Sequence, residues 1–248
     1  MSIPATGFGH YQRVGAGYAG RRRPDPRIAA QVLAALEDAK TVLNVGAGTG
    51  SYEPMDRMVV AVEPSTVMLS QRTNGHPCVR AVAGALPFGN DRFDAAMGVL
   101  TIHHWPDWRA GVAELARVAG RVVLLTHDTD AAPDFWLMEY FPTMLERDRK
   151  RMPPVDHVCA ALGGRAETVP VPHDCTDGFL GAYWRKPAVY LDAEVRKSMS
   201  GFGLLSEDEL TTGLLRLEAD LLSGEWDRRN GHLRDLDALD IGYRLVAG

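Results

Sequence analysis

The chain is 248 residues long, enough for one large folded unit or for a core with a lid, and a second independent core is not required. With 46% hydrophobic and 24% charged residues it has the balance of a soluble globular protein, which excludes a disordered or fibrous one. The net charge of −5 gives no electrostatic reason to expect nucleic acid as a partner.

Two basic islands, Arg21 to Arg23 and Arg147 to Arg151, read as solvated surface, the second because Asp148 is interleaved with it. No apolar run approaches the roughly 18 residues of a membrane span, and the first residues lack the apolar core of a signal peptide. Cys78, Cys159 and Cys175 are odd in number and have no C-x-x-C spacing, so neither a disulfide framework nor a structural zinc site is expected. A cytoplasmic protein without membrane partners fits these observations.

In chain order, a Gly- and Tyr-rich start leads to Asp25-Pro26, which predicts an N-cap and a first helical residue for an amphipathic helix carrying Ile28, Val32, Leu33 and Leu36. Apolar strand-like segments follow at Val42–Val45, Met58–Val62, Cys78–Ala83, Phe93–Ile102 and Arg121–Thr126. Between the last two, Asp107 can cap a helix with Val112, Leu115 and Val118 on one face. This alternation predicts an α/β fold: a doubly wound, mostly parallel, Rossmann-like sheet with helices on both faces and a crevice at the carboxyl ends of its strands. Residues 133–152 form a Pro-punctuated aromatic stretch, Glu167–Val171 reads as a late strand, and Ser206 to Ser223 is the clearest helix. There Ser206 and Glu209 form a capping box, and Leu210, Leu214, Leu217 and Leu221 make a core stripe. Ile241–Val246 is a candidate closing strand. The expected organisation is one domain, 1–248, with a cofactor core over 1–130 and a helical lid plus late strands over 131–240.

The glycines of VLNVGAGTGSY (42–52) fall at 46, 48 and 50. No Lys follows Gly50, so the turn is not a triphosphate-binding loop, and Ser51 stands where a dinucleotide fingerprint requires Gly. Glu63 ends the second strand 17 residues after Gly46, where a carboxylate can accept both hydroxyls of a ribose.

VLNVGAGTG, then VAVEPS with Met68 shortly after, then ALPFGNDRFDAAMGVLTIHHW resembles the ordered motif series of the class I S-adenosylmethionine-dependent methyltransferases, small-molecule branch. The resemblance implies S-adenosylmethionine as cofactor, with Gly46, Ala47, Gly48 and Gly50 letting the backbone approach it. It implies Glu63 as ribose ligand, Pro64, Ser65 and Met68 beside the adenine, Ala85 and Leu86 on the adenine-side loop, and Leu100, Thr101 and His103 beside the methionine portion. Asn44 stands where the family often has Asp, and Val82 where an acidic residue commonly meets the adenine amine. In GHYQRVGAGYAGRRRPDPR, Tyr11, Tyr18 and Arg23 match the residues that close over the cofactor.

Methyl transfer is an in-line displacement that needs alignment and exclusion of water, and a base helps when the acceptor carries a proton. His103, His104 and His127 are the candidates for that base, at the ends of the fourth and fifth strands. Phe135, Trp136, Tyr140, His173 and Tyr183 are candidates for the acceptor pocket, and no metal site is expected. The expected partner is a small-molecule acceptor, with methylation on O, N or C plausibly in secondary metabolism, by a monomer or homodimer. The alternatives are a cofactor-binding regulatory module without catalysis, suggested by Asn44 and Val82, and a nicotinamide-dependent oxidoreductase sharing only the sheet.

Overall fold

The structure, a computed structural model, describes residues 18–131 and 135–248; Tyr11 therefore lies outside the described residues. Five strands run parallel: β1 (Thr41–Val45), β2 (Met58–Val62), β3 (Cys78–Val79), β4 (Phe93–Val99) and β5 (Ala119–His127). The late strands are β6 (Arg165–Thr168), β7 (Val171–Pro172), β8 (Ala238–Leu239) and β9 (Tyr243–Ala247). The large sheet has the order β3-β2-β1-β4-β5-β9-β6, with β9 antiparallel to both neighbours. The order reverses between β1 and β4, the switch point at which such sheets open their binding crevice.

Among the described residues the helices are α1 (Tyr18–Arg21), α2 (Pro26–Ala35), α3 (Thr66–Leu69), α4 (Trp108–Val118), α5 (Leu137–Tyr140), α6 (Pro142–Arg151), α7 (Val155–Leu162), α8 (Ala193–Arg196), α9 (Glu207–Ser223) and α10 (Glu225–Asn230). Asp25 caps α2 through the Arg27 amide, and Asp107 caps α4 through the amides of Arg109 and Ala110. The capping box of α9 forms as expected from Ser206 and Glu209. Of the leucine stripe, Leu217 is buried and Leu210, Leu214 and Leu221 pack partly buried against the same core.

Three strands differ from their sequence-based bounds, each for a local reason. β3 stops at Val79 because Val82 turns back to pair with Ala85, leaving Val82 half exposed. β4 stops at Val99 because Leu100 adopts φ 50°, a left-handed conformation that ends extended backbone. The late strand at 167–171 divides at Pro170, which lacks an N–H for the ladder, into β6 on the sheet edge and β7 paired with β8.

Two cores flank the sheet. On one face α4 and α7 cover Leu43, Val45, Ala96, Val122 and Leu124. On the other, α2 and the helices after residue 135 share a continuous core with Val42, Met97, Val123 and Leu125. Trp136 and Trp184 anchor this second layer: the Trp136 indole donates to the Trp184 carbonyl at 2.8 Å and the Trp184 indole to the Val171 carbonyl at 2.9 Å. Among the described residues no helix is long and apolar enough to cross a membrane.

Candidate active site

A cavity of about 420 Å³ opens at the carboxyl ends of β1, β2 and β4. Its floor is the turn after β1. Gly46 has φ 70°, and a Cβ there would lie 1.9 Å from Thr101 Oγ1, so only glycine lets the turn close against the end of β4. The amides of Gly46 and Ala47 donate to the Val62 carbonyl at 2.9 and 3.0 Å, tying the turn to β2.

Glu63 projects from the end of β2. Its carboxylate accepts from the Gly48 amide at 2.9 Å and from the Ser65 amide at 2.8 Å. Burial raises its pKa against those two amides, which favour the charged form. Ser65 in turn caps α3 by accepting from the Met68 amide, which places Met68 in the wall beside Gly48. Arg80 to Ala83 form the far wall, and Val99 to Thr101 with His104, Trp105 and Pro106 form the β4 side.

Asn44, Gly46, Ala47, Gly48, Glu63, Pro64, Ser65, Met68, Leu100 and Thr101 therefore come together as the sequence motifs suggest. Five expected residues are elsewhere, among them His103, which lies in the second cavity and not beside the cofactor cleft. Ala85 is exposed, and Leu86 is buried beneath the loop with its amide donating to Glu114 at 2.8 Å, because the Val82–Ala85 turn brings residues 80–83 to the cavity instead. Gly50 is outside the lining; with φ 94° it makes room for a polar cluster, since a Cβ would lie 2.5 Å from the Asn74 amide nitrogen. Arg23 is exposed, whereas Arg22 is buried and lines the cavity. Tyr18 lies on α1.

Arg22, Tyr52 and Asp177 form a constellation the motifs did not reveal. Arg22 Nε donates to Asp177 Oδ1 at 2.5 Å, and the Tyr52 hydroxyl donates to Asp177 Oδ2 at 2.9 Å. Asp177 is fully buried, so this pair clamps the segment after β7 onto the cavity mouth. A long separation, 155 residues between Arg22 and Asp177, leaves no sequence signal for it. The triplet Arg21-Arg22-Arg23 was visible in sequence, but which arginine turns inward depends on the fold.

A second cavity of about 60 Å³ shares Arg22 and Leu100 with the first. His103 and His127 line it, with Asp148, Arg151, Phe179 and Tyr243. Burial, reinforced by His104, Arg151, His127 and Arg22, pushes the His103 imidazole well below its ordinary value, and its Nδ1 is buried without a hydrogen-bond partner among the described residues. The His127 Nε2 lies 2.9 Å from the Ile241 carbonyl, which selects the tautomer that donates there and leaves Nδ1 as acceptor. Burial lowers His127 as well, against the pull of Asp148. The His104 ring lies 3.9 Å from that of His103, tilted by 49°, and lines the larger cavity.

The aromatic residues expected in an acceptor pocket do not line either cavity. Phe135, Trp136 and Tyr140 are buried in the core that the helices after residue 135 share with the sheet, where Trp136 meets Trp226 edge-on at 5.3 Å and Tyr140 donates to Asp220 at 2.7 Å. Their apolar area is consumed in joining the later helices to the sheet. Tyr183 packs against Tyr190, and His173 lies beside the Asp237 carbonyl at the β7–β8 ribbon.

A switch-point cleft with a glycine cradle and a strand-end carboxylate is the arrangement of a Rossmann-like nucleoside-cofactor site. Residues 43–124 match a family model described as a methyltransferase domain. The crystal structure of an Anabaena variabilis ATCC 29413 protein, assigned by its name to methyl transfer in an antibiotic biosynthesis pathway, is similar throughout. It shares 34% identity, covers 92% of this chain and 98% of its own, and superposes with a TM-score of 0.85. The chain belongs to the class I S-adenosylmethionine-dependent methyltransferases. The [4+2]-cyclase SpnF has the same fold at 14% identity, with 97% of this chain and 94% of that one covered and a TM-score of 0.59. Among curated proteins none matches the chain.

Proposed function

We propose that this methyltransferase acts on a small-molecule acceptor whose reacting atom enters through the smaller cavity. The observation that carries the reading is the junction between the two cavities: Arg22 and Leu100 belong to both, so the cofactor cleft ends where the histidine-lined space begins. In this reading residues 1–130 hold the cofactor, and 131–240 form the acceptor-facing lid of a single domain. The enzyme works as a monomer or homodimer, without nucleic acid.

Asn44, the turn Gly46 to Gly48, Glu63, Ser65 and Met68 would hold S-adenosylmethionine. When bound, it supplies a methyl group that its sulfonium activates for in-line displacement. Glu63 orients the ribose by accepting its hydroxyls, and Leu100 and Thr101 border the transfer axis. His103, uncharged at neutral pH and with Nδ1 unengaged among the described residues, takes the proton that a hydroxyl, amine or carbon acid loses on methylation. Phe179, Leu180 and Met152 keep water from the junction. The methyl-transfer assignment of the Anabaena protein to antibiotic biosynthesis supports an acceptor from secondary metabolism.

The test is a transfer assay with methyl-labelled S-adenosylmethionine against a small-molecule cell extract, total RNA and total protein in parallel. Label recovered in the small-molecule fraction is the expected outcome. Label taken up by RNA or protein instead would overturn the acceptor class.

A further inference from the structure

Beneath the glycine turn lies a buried polar cluster that the methyl-transfer reading does not use. Glu53, whose side chain is wholly buried, accepts from Arg72 Nη2 at 2.8 and 2.7 Å on its two oxygens, from the Asn74 amide, and from Asn44 Nδ2 at 2.9 Å. Facing a guanidinium, the carboxylate acts as acceptor only. The Asn44 amide therefore has one permitted orientation, because the flipped one would set its carbonyl oxygen against Glu53. That orientation leaves Asn44 Oδ1 buried and without a partner among the described residues, on a side chain that lines the cofactor cavity. Gly50 supports the arrangement, since a Cβ there would lie 3.2 Å from Glu53 Oε2 and closer still to Asn74.

We infer that Glu53 is a positioning residue for cofactor binding: it locks the Asn44 amide so that Oδ1 is held ready to accept from the ammonium group of the cofactor's amino-acid portion. The negative charge that the family often carries on the strand itself stands here behind it, on Glu53, with Asn44 as the intermediary. An orphaned acceptor costs the ligand-free protein stability, and a donor on the ligand removes that cost. The lock also spares the ligand from reorienting the amide on binding.

The inference rests on the reading of this cleft as the S-adenosylmethionine site. The experiment measures affinity for S-adenosylmethionine and for its demethylated product by isothermal titration, on the full chain, with thermal melting of each variant. Glu53→Gln can present either amide face to Asn44, so the lock is lost and affinity should fall about tenfold, the equivalent of one hydrogen bond to a charged group. The double exchange Asn44→Asp with Glu53→Gln returns a carboxylate and an amide to the pair in swapped places and should recover most of that affinity. Asn44→Ala leaves the contacts of Glu53 with Arg72 and Asn74 in place; it should lose affinity to a similar degree with only the modest drop in melting temperature that loss of the Asn44–Glu53 hydrogen bond brings, and it can still overturn the inference if Glu53→Gln does not fold. Unchanged affinity in folded Glu53→Gln, or in Asn44→Ala, overturns the inference. Failure of wild type to bind either molecule overturns instead the reading on which it rests.

Discussion

In the proposed reading Glu63 and His103 do separate work, and substitutions should separate them. The Glu63 carboxylate is already organised by the Gly48 and Ser65 amides, so little ordering remains to be done when a diol arrives. Glu63→Ala is expected to weaken S-adenosylmethionine binding by about ten- to a hundredfold, as loss of hydrogen bonds to a charged acceptor implies; isothermal titration measures it. His103→Asn should leave that affinity within about threefold of wild type and lower kcat, with an effect on the order of a hundredfold if proton acceptance is required. Because the folded His103 has a depressed pKa, its base form persists on the acid side, and the acid limb of the wild-type kcat profile should fall well below pH 6.5. In stability the sign is the same: an unfolded histidine takes up a proton near its ordinary value while the folded one does not. The protein therefore loses stability as pH falls through and below about 6.5, and His103→Asn should flatten that slope in urea titrations at a series of pH values.

At the scale of elements, the helices after residue 135, the lid of the proposed reading, are held by packing and by caps. α9 begins with the Ser206–Glu209 box and closes its first turn with three acidic residues, Glu207, Asp208 and Glu209, which suit the positive end of the helix. Ser206→Ala should cost about 1 kcal/mol by denaturant unfolding, with cofactor affinity unchanged. α9 carries Leu217 into the core beside Trp136, Phe141 and Trp226, so its stability is also the lid's. The same aromatic packing explains why Phe135, Trp136 and Tyr140, attractive in sequence as pocket residues, do not reach the cavities. A ring that is almost entirely buried against other rings has no face left for a ligand.

At the scale of the whole molecule, the cavity lies where the sheet, the segment around Arg22 and the segment after β7 meet. Arg22 and Asp25 on one side contact Asp177 and Thr176 on the other, at 2.5 Å for the ion pair and 3.1 Å for the Thr176 amide to Asp25. Ligand binding at this meeting point should stabilise the chain as a unit. At a cofactor concentration 100 times its dissociation constant the gain is about 2.7 kcal/mol. For a protein of this size that corresponds to a rise of roughly 5–10 °C in Tm, readable in a calorimeter.

Local chemistry made much of this legible without coordinates. The parallel strands could be read because burial on both faces demands continuous apolar runs, the caps of α2, α4 and α9 because Asp and Ser act on amides two or three residues away, and the turn at Gly46 because a positive φ requires glycine. The residues that line the cleft came together for the same reason: Gly46, Gly48 and Glu63 lie just past the carboxyl ends of two adjacent parallel strands. What only the tertiary structure decided involves partners far apart in the chain. These are the inward turn of Arg22 rather than Arg23, its pairing with Asp177, the division of the late strand at Pro170 and the burial of Trp136. The lock of Asn44 by Glu53 also belongs here, although the two are nine residues apart, because Arg72 and Asn74 complete it from the next crossover. Periodicity and capping act over a single turn or strand and leave their mark in neighbouring residues. The direction in which one side chain points, and the group it meets, is set by the packing of elements that the chain brings together only when it folds.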